Sequence, residues 1–148
     1  MKLKRNFLLL VIAWTIGTGT TSAFAMGSGN PYEDAQVGLN YVVYQPSFSV
    51  GLALKKFGMH TCGTGKDQAL NVNYGAGKRN FLLTESAADN ICPMNMMLIR
   101  GATRTVVNKS GAGNLKGTQV VIISVGIERA QLNVIFSHLV PRYTSSGS

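Results

Sequence analysis

The chain is poor in the residues that carry most enzyme chemistry. Its 148 residues include six acidic residues, two histidines and two cysteines. No two of the acidic residues have a spacing that indicates general acid–base catalysis, and neither His60 nor His138 has a recognisable nucleophile as its partner. We therefore predict a protein that is not an enzyme and holds no cofactor.

Phosphate-binding and nucleic-acid-binding patterns are also missing. The loops "GTGK" and "GAGK", at 63–66 and 75–78, lack the first glycine and the hydroxyl residue of a phosphate-cradling loop, so we interpret them as turns. Beyond residue 25, lysine and arginine are spread along the chain, and only Lys55-Lys56 and Lys78-Arg79 are adjacent. A nucleic-acid-binding domain usually clusters such residues, so we expect no nucleic-acid partner.

The first 25 residues have the pattern of a cleaved secretory signal. Residues 1–6 are positively charged, residues 7–16 are apolar, and small residues follow as far as Ala25. The apolar run is well short of the ~20 residues that span a bilayer, which argues against a membrane anchor. We predict a secreted or extracytoplasmic protein with one domain at 26–143 and a disordered tail at 144–148.

Two cysteines allow one intramolecular disulfide, Cys62–Cys92. Both lie in the part predicted to be exported, where disulfides form and persist. Closing a loop of about thirty residues stabilises a fold by roughly 3–4 kcal/mol on the chain-entropy model. The alternative is a redox-active pair, but the Cys-x-x-Cys spacing that would favour it is absent.

Methionines near these cysteines leave a second interpretation open. Thioethers and imidazole suit copper in an oxidising compartment, and a disulfide would bring "GMHTC" and "CPMNMM" together. Methionine more often fills irregular gaps in a core, and that interpretation is favoured. The candidate copper ligands of the weaker alternative are Met59, His60, Met94, Met96 and Met97.

The first two thirds of the mature chain reads as one short helix followed by strands. Asn30 is a typical N-cap before Pro31, and Gly38 ends the helix. Pro46 ends the first strand, and a helical turn is predicted to begin at Ser86. The predicted strands are 41–44, 49–57, a hairpin over 70–85, and 103–107, with loops at 58–67 and 108–117.

The last apolar segments decide the fold class. Residues 118–125, "TQVVIISV", are strongly β-branched and predict a buried strand. Residues 127–139 fit either a returning strand or a helix. Helical spacing places four apolar residues on one stripe, Leu132, Ile135, Phe136 and Leu139. We favour the helix and predict an α+β fold: a mainly antiparallel, curved sheet of six or seven strands with a short N-terminal helix and a C-terminal helix packed on it.

Two stretches of sequence resemble a bacterial family. "NYVVYQPSFSVGLAL" resembles the "VYxPxYLPxGY" entry of small extracytoplasmic domains, and "SVGIERAQLNVIFSHL" is similar to their C-terminal "sxGlsxxeLxxiaxSL". The matching residues are Pro46, Tyr74, Gly126, Leu132 and Leu139, and the likeness covers about 40 to 140. Some members are the outer parts of anti-sigma factors. The resemblance implies a fold similar to the half-barrel of lipoprotein carriers and of an envelope-stress regulator, with no catalytic residues.

These observations predict an exported binding or sensing domain. Its ligand would be an apolar group or peptide held between the sheet and the C-terminal helix. The alternative is a secreted surface module that uses the loops 58–67 and 108–117 to contact an envelope protein. In neither case does the mature form span a membrane. The predicted lining of the groove is Tyr44, Phe48, Leu83, Ile123 and Phe136.

Overall fold

The computed structural model describes residues 28–62, 67–90, 92 and 101–143. The predicted signal sequence, the predicted tail and the three methionines at 94, 96 and 97 lie outside these residues. The elements follow in chain order as α1 (Pro31–Gly38), β1 (Tyr44–Pro46), β2 (Ala53–Thr61), β3 (Gln68–Ala76), β4 (Arg79–Ala87), β5 (Thr103–Lys109), β6 (Thr118–Val125), α2 (Arg129–Ser137) and β7 (Leu139–Pro141).

Among the described residues, the strands form two antiparallel sheets. The main sheet has the order β2-β3-β4-β6-β5, and β1 pairs with β7 in a separate two-stranded sheet. The described part of the chain therefore has an α+β fold with a mainly antiparallel sheet, as the sequence predicts.

Residues 129–137 are helical, which answers the question left open by the sequence. Glu128 and Gln131 form a capping box at the start of α2. Leu132, Ile135 and Phe136 are buried in one apolar cluster with residues of the main sheet. The 3.6-residue spacing is confirmed because an extended chain would have placed neighbouring residues on opposite faces.

Side chains of β4 and β6 alternate between this core and the other face of the sheet. Phe81, Leu83, Val120 and Ile122 belong to the core cluster. Thr84, which pairs with Val121, lies on the other face. The sheet therefore has a core face that is covered by α2 and a second face with its own buried residues.

The short helix α1 is confirmed, with its predicted cap. The Asn30 side chain accepts a hydrogen bond from the Tyr32 backbone N–H, and Pro31 stands in the first turn. Tyr32 and Ala35 are buried, so α1 adds to the same core as α2.

The segment before β1 is not the strand that its sequence predicts. Residues 41–43 are buried, yet only Tyr41 forms an isolated bridge, to Lys116. Isolated contacts satisfy the backbone instead: the Val42 N–H donates to the Lys116 carbonyl at 3.2 Å, and Gln36 Oε1 accepts from the Val43 N–H at 2.7 Å. The regular strand starts only at Tyr44 and ends at Pro46, because proline cannot donate the next ladder bond.

Three other local predictions are wrong. Residues 58–61 are part of β2 and not a loop, since they pair with residues 68–71 of β3. Ser86 is not a helix cap: it lies inside β4 and pairs with Gln119. The loop predicted at 108–117 is shorter, because β5 reaches Lys109 and a bridge joins Ala112 to Leu115.

Candidate functional site

A surface groove of about 400 Å³ lies beside α2. One wall is the connection between β1 and β2, the other is the exposed side of α2, and the start of β4 contributes a cationic side chain. Its lining residues are Phe48, Val50, Arg79, Ala130, Gln131 and Val134.

The β1–β2 wall is a tight turn held by its own hydrogen bonds. The Leu52 N–H donates to the Ser49 carbonyl at 3.0 Å, and the Ser49 hydroxyl donates to the Leu52 carbonyl at 2.7 Å. Between them Val50 has a φ of 50°. A β-branched residue rarely adopts this left-handed conformation, at a cost of about 1–3 kcal/mol. The turn thus holds Val50 in a strained position at the groove.

Phe48 stands at the mouth of the groove. Its side chain is 47% exposed, and its ring centre lies 6.0 Å from that of His138. The Ser47 N–H donates to the His138 carbonyl at 2.9 Å, which ties this wall to the end of α2. Val134, on α2, is 36% exposed. Two large apolar side chains are therefore presented to solvent on opposite walls.

Arg79 is positioned by the hairpin between β3 and β4 and by a glycine. Gly126 has a φ of 69°, and a Cβ there would lie 3.4 Å from Arg79 Cγ. The Arg79 guanidinium makes two long hydrogen bonds, to the Val50 carbonyl at 3.4 Å and to Gln131 Oε1 at 3.5 Å. Neither of the two ion pairs among the described residues involves Arg79. The groove therefore combines apolar walls with a positive charge.

The structure does not bring the five predicted lining residues together. Leu83 and Phe136 are buried in the core between sheet and helix, and Tyr44 packs at its margin. Ile123 is buried but lies on the second face of the sheet, because its neighbour Ile122 points into the core. Phe48 is the predicted residue that lines the groove.

The disulfide Cys62–Cys92 is confirmed, and a histidine lies beside it. His60 Nε2 is 3.3 Å from Cys92 Sγ, and His60 Nδ1 is 2.8 Å from Asn71 Nδ2. The Thr84 hydroxyl donates to Asn71 Oδ1 at 2.7 Å. With the amide in this orientation Nδ1 accepts, so the imidazole proton is on Nε2 and points at the sulfur.

The two candidate copper ligands among the described residues lie on opposite faces of the sheet. Met59 pairs with Leu70 and packs against the core, whereas His60, the next residue of β2, points the other way. Met59 and His60 therefore do not face a common ion. The side chains that the structure does gather around His60 are Cys62 and Cys92, with all three ligand atoms within 4.8 Å of one another.

A buried carboxyl is the most unusual ionisable group of the core. Glu85, on β4, is 0% exposed. Its oxygens accept from the Tyr44 N–H at 3.0 and 3.3 Å. Burial raises the pKa of Glu85 well above its ordinary value, and the hydrogen bond from Tyr44 offsets part of that rise. Tyr32 and Tyr74 join their hydroxyls at 2.8 Å in the same core.

Sequence reasoning missed Arg79, Gln131 and Glu85. Arg79 reads as one half of a basic pair in a turn, and Gln131 as a polar helix residue. Glu85 falls at an inward position of the alternating β4 pattern, between Leu83 and Ala87, and that alternation is the signal that could have found it.

Comparison with known proteins yields no match to a family model, a curated protein or a solved structure. The resemblance to small bacterial extracytoplasmic domains thus rests on the quoted motifs. Over the described residues, no helix has the length and hydropathy needed to cross a bilayer.

Proposed function

We propose that this protein is a non-enzymatic, exported binding domain whose groove beside α2 holds an apolar ligand bearing a carboxylate. In this proposal the sheet curves around α2. The ligand lies outside the core between the sheet and α2 rather than within it. Two sources share the proposed chemistry: a fatty acid, and the C-terminal end of a hydrophobic peptide.

The observation that carries the proposal is the pairing of exposed apolar walls with Arg79. The groove volume of about 400 Å³ falls within the roughly 300–1,000 Å³ of ligand sites, which usually combine apolar lining with a few polar groups. A guanidinium is suited to carboxylates because its N–H donors form a planar fork. Strain at Val50 is a further feature that clusters at binding sites.

The lining favours binding over catalysis. Neither a guanidinium nor a glutamine amide belongs to the side chains that serve as general bases or nucleophiles in catalysis. The alternative, a surface module acting through the loops predicted at 58–67 and 108–117, has less support because residues 58–61 and 108–109 belong to strands.

Binding of a fluorescent fatty acid and of a hydrophobic peptide with a free C-terminus tests the proposal. Val134→Ser should weaken binding about fivefold, because it removes apolar surface from one wall. Val106→Ser is the matched control: Val106 is 38% exposed against 36% for Val134 and lies on edge strand β5. Equal affinities of the two variants would refute the groove.

The charge is tested separately. Arg79→Gln should reduce affinity about threefold to fivefold, since an exposed ionic contact contributes up to about 1 kcal/mol. Arg104→Gln, an exposed arginine on β5, is the control. Amidation of the peptide, or esterification of the fatty acid, should abolish the effect of Arg79→Gln. Binding of only one ligand type identifies the source, and binding of neither refutes the proposal.

Export is tested by expressing the full chain in a bacterium. We expect the protein in the extracytoplasmic fraction with Met26 as its first residue, which intact-mass measurement detects. Retention in the cytoplasm at full length would contradict this part of the proposal without affecting the groove.

A further inference from the structure

We propose that the reduced protein binds a thiophilic d¹⁰ cation, zinc(II) or copper(I), through Cys62, Cys92 and His60. The disulfide then acts as the redox gate of a metal site. The site lies on the second face of the sheet, and it is independent of the groove beside α2.

The three ligand types suit one class of ion. Thiolate and imidazole select zinc and copper(I), whereas magnesium and calcium prefer oxygen ligands. The ligand atoms of His60, Cys62 and Cys92 already lie within 4.8 Å of one another. Two thiolates and one imidazole leave the fourth tetrahedral position of zinc open to water.

The distances require little movement of His60. Tetrahedral zinc, with its usual bond lengths, separates a sulfur and a nitrogen ligand by about 3.6 Å and two sulfur ligands by about 3.8 Å. His60 Nε2 and Cys92 Sγ are 3.3 Å apart. Breaking the disulfide lets the sulfurs separate by side-chain rotation, while the Cα atoms of Cys62 and Cys92 stay 5.1 Å apart.

Asn71 can serve either state of the site. Beside the disulfide its Nδ2 donates to His60 Nδ1. In the metal-bound form Nε2 must carry the lone pair, so the proton moves to Nδ1. Turning the Asn71 amide by half a turn presents Oδ1 to that proton and Nδ2 to the Thr84 hydroxyl, which then accepts. Outer hydrogen bonds of this kind fix the ring of a metal-bound histidine.

Reduction of the disulfide requires one co-reactant, a dithiol. The dithiol gives two electrons and two protons to the Cys62–Cys92 bond, forming two thiols, and becomes a disulfide itself. Metal binding then releases the two thiol protons to solvent, because the thiolates are the ligands. In the reverse reaction the two thiolates pass two electrons to the disulfide form of the dithiol, which takes two protons from solvent; the Cys62–Cys92 bond re-forms and the ion is released.

Cobalt(II), a spectroscopic stand-in for zinc, tests the site. Reduced full chain titrated with Co²⁺ should give thiolate-to-metal absorption at one ion per chain, and Zn²⁺ should displace the cobalt. The oxidised protein should show no such band. A band of equal strength in the oxidised protein, or none in the reduced protein, would overturn the proposal.

Variants separate a folded site from binding by loose cysteines. His60→Ala and Asn71→Leu should each weaken Co²⁺ binding at least tenfold. His138→Ala, at the exposed C-cap of α2, should leave it unchanged. Equal affinity of His60→Ala and the parent chain would refute the role of His60. If the reduced metal-free chain unfolds, Co²⁺ must restore its circular dichroism, and failure to do so refutes the site.

Discussion

Replacing Glu85 by glutamine should remove a pH dependence of stability that this one carboxyl creates. Glu85 is fully buried, and its two oxygens share the single N–H of Tyr44. Neither of the ion pairs among the described residues includes it. Burial therefore raises its pKa, since water no longer stabilises the charged form.

The sign follows from proton binding. Above the ordinary pKa of 4.5 the unfolded chain loses the Glu85 proton, while the folded chain keeps it up to its raised pKa. Between these values the folded state binds one more proton, so stability falls as pH rises, by up to about 1.4 kcal/mol per pH unit. This loss of stability is complete once the pH has passed the pKa of Glu85 in the folded chain. From pH 5 to pH 7 it amounts to at most about 3 kcal/mol.

Neighbouring tyrosines do not titrate in this window. Burial also raises the pKa of Tyr32 and Tyr41 above the ordinary value of 10.0. Tyr74 adds to the rise in the pKa of Tyr32, and Glu85 adds to the rise for both tyrosines. They remain neutral below pH 8, so Glu85 is the group in this part of the core that changes charge. Glu85→Gln keeps the shape and an oxygen for the Tyr44 N–H but holds no titrating proton.

Urea unfolding at pH 5, 6, 7 and 8, with the disulfide intact, measures the effect. The stability advantage of Glu85→Gln over the parent chain should grow with pH. The control is Glu128→Gln, in which an exposed carboxylate at the start of α2 is removed, and its difference from the parent should change little over the same range. Parallel pH curves for the parent and Glu85→Gln would refute the reasoning.

Three further predictions concern stability. Gly126→Ala should destabilise the fold by about 1–2 kcal/mol, because φ is 69° and the added Cβ would lie 3.3 Å from a carbonyl oxygen. Gly58→Ala is the control, since a Cβ there meets open space. Equal urea midpoints for the two variants would contradict the predicted strain at Gly126. Changing both cysteines to serine should cost about 3–4 kcal/mol for a sequence separation of 30, and an unchanged thermal midpoint would show that the disulfide contributes nothing. Ile135→Ala should cost about 2–5 kcal/mol, whereas the exposed neighbour Val134→Ala should cost under 1 kcal/mol; a reversed order would contradict the helical stripe.

The local sequence pattern predicts a structural feature correctly where one physical factor dominates. The β-branched run of β6 and the 3.6-residue spacing of α2 each bury an apolar face, so periodicity alone predicts them. The disulfide is predicted because two cysteines allow one pairing. The same reasoning fails for residues 41–43, because the backbone N–H groups of Val43 and Val42 donate to Gln36 and Lys116. These contacts depend on tertiary structure and leave no local signal in the sequence.

The groove beside α2 could not be predicted from the sequence for a related reason. The sequence predicts Phe48 in a groove between the sheet and the C-terminal helix, but Phe48 comes just before the strained turn at Val50 and lies at the surface, 47% exposed. Arg79 enters the groove because Gly126 leaves room beside its stem. Both features are set by backbone conformation over several residues, and a hydrophobic pattern does not record it.

The size of the groove also bounds the affinity that should count as support. Drug-sized ligands gain about 0.3 kcal/mol per non-hydrogen atom, so a chain of about twenty atoms yields about 6 kcal/mol. That corresponds to a dissociation constant of tens of micromolar. The ionic contact with Arg79 contributes up to about 1 kcal/mol more because the site is open to water. Micromolar binding that responds to Val134 and Arg79 therefore fits this groove, whereas nanomolar binding indifferent to both residues would require a different site.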